Sequence, residues 1–123
     1  MLDHIGLDVT DYERSRTFYE RALEPLGIAL IMEPVPEVGG FGEADGKPYF
    51  WIARRGQEPQ TGVHVAFAVP DRELVDAFHA AALEAGATDN GGPGVREIYH
   101  PDYYGAYVLD PDGNNVEAVC HTG

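Results

Sequence analysis

At 123 residues with 44% hydrophobic content, the chain is sized for one domain whose core needs no disulfide or metal staple. Twenty-one acids against eight bases give a formal charge of −13, which repels phosphate backbones and anionic membrane surfaces and argues against nucleic acid or membrane partners. No apolar run approaches the ~18 residues of a membrane span, the strand pattern begins at Leu2 and the lone Cys120 cannot close an internal disulfide, so a cytoplasmic location is expected.

The first strand is expected over His4 to Val9, where Ile5, Leu7 and Val9 point one way and His4, Gly6 and Asp8 the other. Asp11 is placed as the N-cap of a helix whose apolar stripe is Phe18, Ala22, Leu23 and Leu26, with Gly27 as its stop. Shorter strands are expected at Ile28 to Met32, Phe41 to Ala44 and Tyr49 to Ala53, with Glu33 to Gly40 a loop.

Sixty residues on, the pattern returns. His4 to Asp11 lies over His64 to Asp71, and the register holds through Glu13/Glu73, Phe18/Phe78 and Ala22-Leu23-Glu24/Ala82-Leu83-Glu84, giving eight identities in twenty-one ungapped positions. Asp71 is again placed as an N-cap, Gly86 as a stop, Ala87 to Asn90 as a weak strand, and Tyr104 to Leu109 and Val116 to Cys120 as firm ones. The turn Asp110-Pro111-Asp112-Gly113-Asn114 joins the last two; its glycine at the fourth place and the lack of an acid at the twelfth argue against a calcium loop.

The expected fold is therefore α+β: two βαβββ modules in tandem, about residues 1–54 and 63–121 with a linker at about 55–62, and helices on the outside of a curved mixed sheet. On the face away from the helices stand His4, His64 and Glu117, the last a carboxylate in an otherwise apolar strand and costly to bury without a partner. Two imidazoles and a carboxylate suit a divalent Fe, Mn, Co, Ni or Zn ion. Tyr49, Trp51, Arg96, His100, Tyr103 and Tyr104 are the candidate walls of a small-molecule pocket on that face.

Three stretches resemble the vicinal oxygen chelate superfamily of glyoxalases, extradiol dioxygenases and bleomycin- and fosfomycin-resistance proteins: Leu2 to Val9 leading into Arg14 to Tyr19, Gly62 to Phe67, and Asp110 to Glu117. The resemblance implies that His4, His64 and Glu117 are metal ligands, that Tyr107 is an active-site tyrosine serving as pocket wall or as acid, and that the protein is a homodimer. It also exposes a departure. The first module's last strand, Tyr49 to Ala53, has Phe50 or Trp51 where glyoxalases carry a further glutamate, so true glyoxalase activity is not expected.

The expected function is that of a metal-dependent enzyme of lyase, isomerase or dioxygenase type, with Glu117 and Tyr107 catalytic, acting on a small molecule with adjacent oxygens. The rival is a non-catalytic protein that sequesters an antibiotic-like compound in the same groove. Whether the three ligands meet within one chain or across two stays open.

Overall fold

The computed structural model describes residues 1–123. The first module runs β1 (Ile5–Asp8), α1 (Tyr12–Leu23), a 3-10 turn (Glu24–Leu26), β2 (Ala29–Met32), β3 (Val38–Gly42) and β4 (Phe50–Ala53). The second runs β5 (His64–Ala68), α2 (Arg72–Glu84), β6 (Thr88–Asp89), β7 (Gly94–Val95), β8 (Tyr104–Leu109) and β9 (Asn115–Cys120). Each module makes its own sheet, of order β1-β4-β3-β2 in the first and β5-β9-β8-β6 in the second, where β7 also pairs with β8. In both, the first strand lies parallel to the last and the remaining pairings are antiparallel, which is the tandem layout the repeat predicts, divided between two sheets.

The period-two faces decide what packs where. Leu7, Val9, Val65 and Phe67 turn inward and join Phe18, Leu23, Val75 and Phe78 of the helices in one core shared by both modules. Helix α1 packs on α2, and Phe50 meets Phe67 edge to face with centroids 5.4 Å apart, so the halves are joined through their helix-bearing sides. The outer face of β5 is left open at His64, Ala66 and Ala68 and that of β1 at Gly6, whereas Asp8 is buried beneath Gln60 and Arg55.

The two helix starts differ. The Asp11 side chain accepts from the Arg14 amide at 3.1 Å, as its position predicts, whereas Asp71 stands at the N-cap of α2 without making a capping bond. Gly27 and Gly86 end their helical segments at φ of 75° and 102°. Strand β3 begins at Val38, inside the stretch read as a loop, because its glycines serve contact: a Cβ on Gly39 would lie 2.5 Å from the Tyr12 hydroxyl, and one on Gly40 2.8 Å from the Trp51 ring.

The second hairpin is pinned by Asp110. Its Oδ1 accepts from the amides of Asp112 and Asn114, both at 2.9 Å, and its Oδ2 accepts from the hydroxyl of Tyr19 on α1 at 2.5 Å. Burial, then the Asp110 charge, pushes the Tyr19 phenol well above its ordinary value. Above about pH 10 the folded chain thus holds protons that the unfolded chain gives up, so stability falls as pH rises through that range. Urea midpoints measured between about pH 8 and 11 are expected to decline in the wild type and to decline less steeply in Tyr19→Phe.

Candidate functional site

Strand β9 lies between β5 and β8, and the register sets Glu117 beside Ala66 on one side and Tyr107 on the other. Directly opposed residues share a face, so Glu117 stands with His64, Ala66, Gly105 and Tyr107 on the side away from the helices. Small neighbours make room for it: a Cβ on Gly105 would come within 3.1 Å of Glu117 Oε2.

Glu117 is fully buried, and both of its oxygens are engaged. Oε1 is 2.7 Å from His64 Nε2, and Oε2 accepts from the Tyr103 hydroxyl. The His64 side chain remains 52% exposed, so the pair runs from the interior to the surface. Two donors on one carboxylate offset the cost of burying it.

Burial first, and then the bond to Glu117, push the Tyr103 phenol far above its ordinary value; it keeps its proton and can only donate to the carboxylate. Its ring is braced by Tyr99 at 4.8 Å and by His100 and His121 at 5.5 and 5.3 Å. The Asp102 amide donates to His100 Nδ1 at 3.1 Å, which leaves the His100 proton on Nε2, aimed at His121 Nδ1 2.9 Å away. His100 therefore acts behind Tyr103. Its partner His121, beyond the last strand, was not legible as a site residue because no period or motif singles it out.

Tyr107 stands directly across from Glu117, with its ring 6.2 Å from that of His64 and the Arg96 guanidinium 5.3 Å over it. Burial raises this phenol too, with the nearby Tyr103 hydroxyl acting in the opposite sense. Tyr104, one residue out of phase with Gly105, falls on the helix side: its hydroxyl donates to Asp76 of α2 at 2.6 Å and its ring lies 4.9 Å from the Arg72 guanidinium. It does not reach Glu117.

In the first sheet Trp51 pairs with Gly6 and Gly40, as Glu117 pairs with Ala66 and Tyr107 in the second. The register thus assigns the repeat-equivalent position to Trp51, whereas Phe50 is in the core against Tyr19 and Phe67. His4 stands exposed on this sheet, its Nδ1 2.7 Å from Asp3 Oδ1, and with Gly6, Trp51 and Arg55 it lines a hollow of about 380 Å³. An apolar cavity of about 320 Å³ between the modules is lined by His4, Tyr49, Val65 and Ala66, among others. His64 and Glu117 are brought together and His4 is not, and no group of three or more His, Cys, Asp or Glu side chains in the single chain is placed to hold a metal ion. No helix is long and apolar enough to cross a membrane.

Comparison with known proteins agrees with this architecture. A structure described as a glyoxalase/bleomycin resistance protein from Albidiferax ferrireducens T118 is 33% identical, with a TM-score of 0.80 over 96% of each chain. A glyoxalase/bleomycin resistance protein/dioxygenase family enzyme from Burkholderia phytofirmans PsJN (22%, 0.73, 98% of each chain) shares the fold. So does a glyoxalase/dioxygenase from Nostoc punctiforme (24%, 0.70, 100% of this chain and 92% of that one). A search of the curated proteins gives no match. The family model of the glyoxalase/bleomycin resistance protein/dioxygenase superfamily matches residues 1–118. With its paired open sheets and the buried Glu117 between His64 and Tyr103, the chain belongs to that superfamily.

Proposed function

We propose that the protein is a metal-dependent enzyme of this superfamily, with one divalent Fe, Mn, Co, Ni or Zn ion held by His64 and Glu117 of one chain and His4 of a second copy. The observation that carries the reading is a fully buried carboxylate 2.7 Å from an imidazole nitrogen, on a strand with no other reason to contain an acid. Nitrogen and oxygen donors meeting at one point fit such an ion. His4 is the repeat partner of His64, yet it stands exposed on the other sheet, and the outer edges of β1 and β5 carry no strand partner, which supports completion by a second copy. A bound ion would act as a Lewis acid toward two adjacent oxygens of a small substrate.

The chain's own residues divide the remaining work. Tyr103 fixes the carboxylate from behind through Oε2, while Oε1 meets His64 Nε2 at 2.7 Å, and it is between these two atoms that an ion would be taken up. Tyr107, protonated and directly opposite Glu117, would hold a proton at its hydroxyl near the substrate oxygens or wall the pocket. Trp51 at the place of a second carboxylate leaves Glu117 as the one acid for proton handling, which favours lyase, isomerase or dioxygenase chemistry over that of a true glyoxalase.

Elemental analysis of the purified wild type and of His4→Ala, His64→Ala and Glu117→Gln tests the reading: each variant is expected to lose metal that the wild type retains. Wild-type protein that takes up no divalent ion yet binds a cationic glycopeptide tightly would replace it with the sequestering function. For Tyr103→Phe, metal affinity is expected to drop by about tenfold, the lower end of outer-shell effects, without loss of the fold. Competition with a chelator dye checks this, and an unchanged affinity would remove Tyr103 from the positioning role.

A further inference from the structure

The chain has eight basic side chains for twenty-one acids, and Arg14, Arg16, Lys47, Arg54 and Arg55 each lie within 4 Å of a carboxylate. Arg96 does not, although it stands at the candidate site. Its guanidinium lies over the Tyr107 ring, which also neighbours His64, and Nη2 donates to the Gly92 carbonyl at 2.7 Å. The Gly91–Gly94 loop closes tightly around it. A Cβ on Gly94 would lie 2.9 Å from Nη1 and one on Gly91 3.3 Å from Nη2, and Gly91 has a φ of 141°, which side chains rarely adopt. The guanidinium is therefore held in place by a loop and a ring, with a single protein acceptor and most of its five donors unspent.

We infer that Arg96 is a specificity-determining residue that binds an oxyanion group, such as a distal carboxylate, on the substrate while its paired reactive oxygens face His64 and Glu117. This rests on the proposed metal-site reading and adds the substrate class: an anionic small molecule. The physical reason is contrast. A chain of charge −13 repels anions in general, so a fixed, unpaired guanidinium beside one carboxylate-bearing site makes that spot the place where an anion is favoured. A forked donor set also matches an oxyanion bidentately.

The competing role is a clamp that merely holds the glycine loop on Tyr107, and the test separates the two. Isothermal titration of Ni(II)-loaded wild type, Arg96→Gln and Arg96→Lys is run with 2-oxoglutarate and 2-oxoadipate, each offering two adjacent oxygens and a distal carboxylate, and with 2-oxobutyrate, which lacks the distal group. Arg96→Gln is expected to weaken at least one diacid by about tenfold or more, the scale of one charge-assisted pair, and to leave 2-oxobutyrate within about twofold; Arg96→Lys should recover part of the loss. Equal losses for all three probes, or no loss for any, overturns the inference in favour of the clamp. If the wild type retains no Ni(II), the metal-site reading has failed and the inference is judged separately, on the metal-free protein titrated with inorganic phosphate while arginine Nε–H signals are followed by NMR. A saturable shift of the Arg96 signal, with no corresponding binding in Arg96→Gln, upholds anion recognition; no shift overturns it.

Discussion

Glu117→Gln is expected to abolish stoichiometric metal retention, lowering affinity by at least about 100-fold, the upper scale for an outer-shell loss and so a floor for a ligand, while the folded state survives with a melting temperature within a few degrees of the wild type. The two side chains have nearly the same shape, so the packing around β9 is conserved; what changes is the loss of the anionic ligand. An alanine at this place would confound the result, because it opens a void at a fully buried position. Metal content after dialysis, read beside a thermal melt, decides the matter. A Glu117→Gln protein that keeps one ion per chain would remove Glu117 from the ligand set.

The second large effect is complementation. His4→Ala and Glu117→Gln chains are each expected to be metal-free as homodimers, yet co-expression or joint refolding should restore about a quarter of the wild-type metal content. In a two-fold dimer with shared sites, half of randomly formed dimers are mixed, and each mixed dimer places both lesions in one site and leaves the other intact. If His4 instead served its own chain's Glu117, every site in every dimer would carry a lesion and mixing would restore nothing. The arrangement in the single chain, with His4 paired to Asp3 on one sheet and His64 paired to Glu117 on the other, motivates the experiment. Any outcome near zero would turn the proposal toward a site closed within one chain.

Much of the fold was legible because its signals are local. A shift of sixty residues superposes two strand-helix units, and the period-two faces of β1 and β5 separate the core residues Leu7, Val65 and Phe67 from the outward His4 and His64. Glu117 was visible as an acid among valines and alanines. Misreadings arose where glycine served packing: Val38 to Gly40 looked like a loop, yet its glycines are the positions where Tyr12 and Trp51 press on the strand. Asp71 has the residue type and place of an N-cap, but no local rule dictates whether its side chain turns to the amide.

The candidate site divides in the same way. Sequence by itself determined that the chain is a duplicated strand-helix unit, that a histidine opens each copy on the face opposite the core, and that one copy ends in glutamate while the other does not. Those facts follow from residue type and spacing. The tertiary structure alone decided that Trp51 stands at the position equivalent to Glu117, that Tyr103 donates to Glu117 while Tyr104 serves the helix side, and that His100 and His121 together brace the Tyr103 ring. It also decided that His4, paired with Asp3, forms no three-ligand cluster with His64 and Glu117 in the single chain. Such facts depend on strand register and on contacts between residues distant in the chain, where a shift of one position reverses which face a side chain occupies.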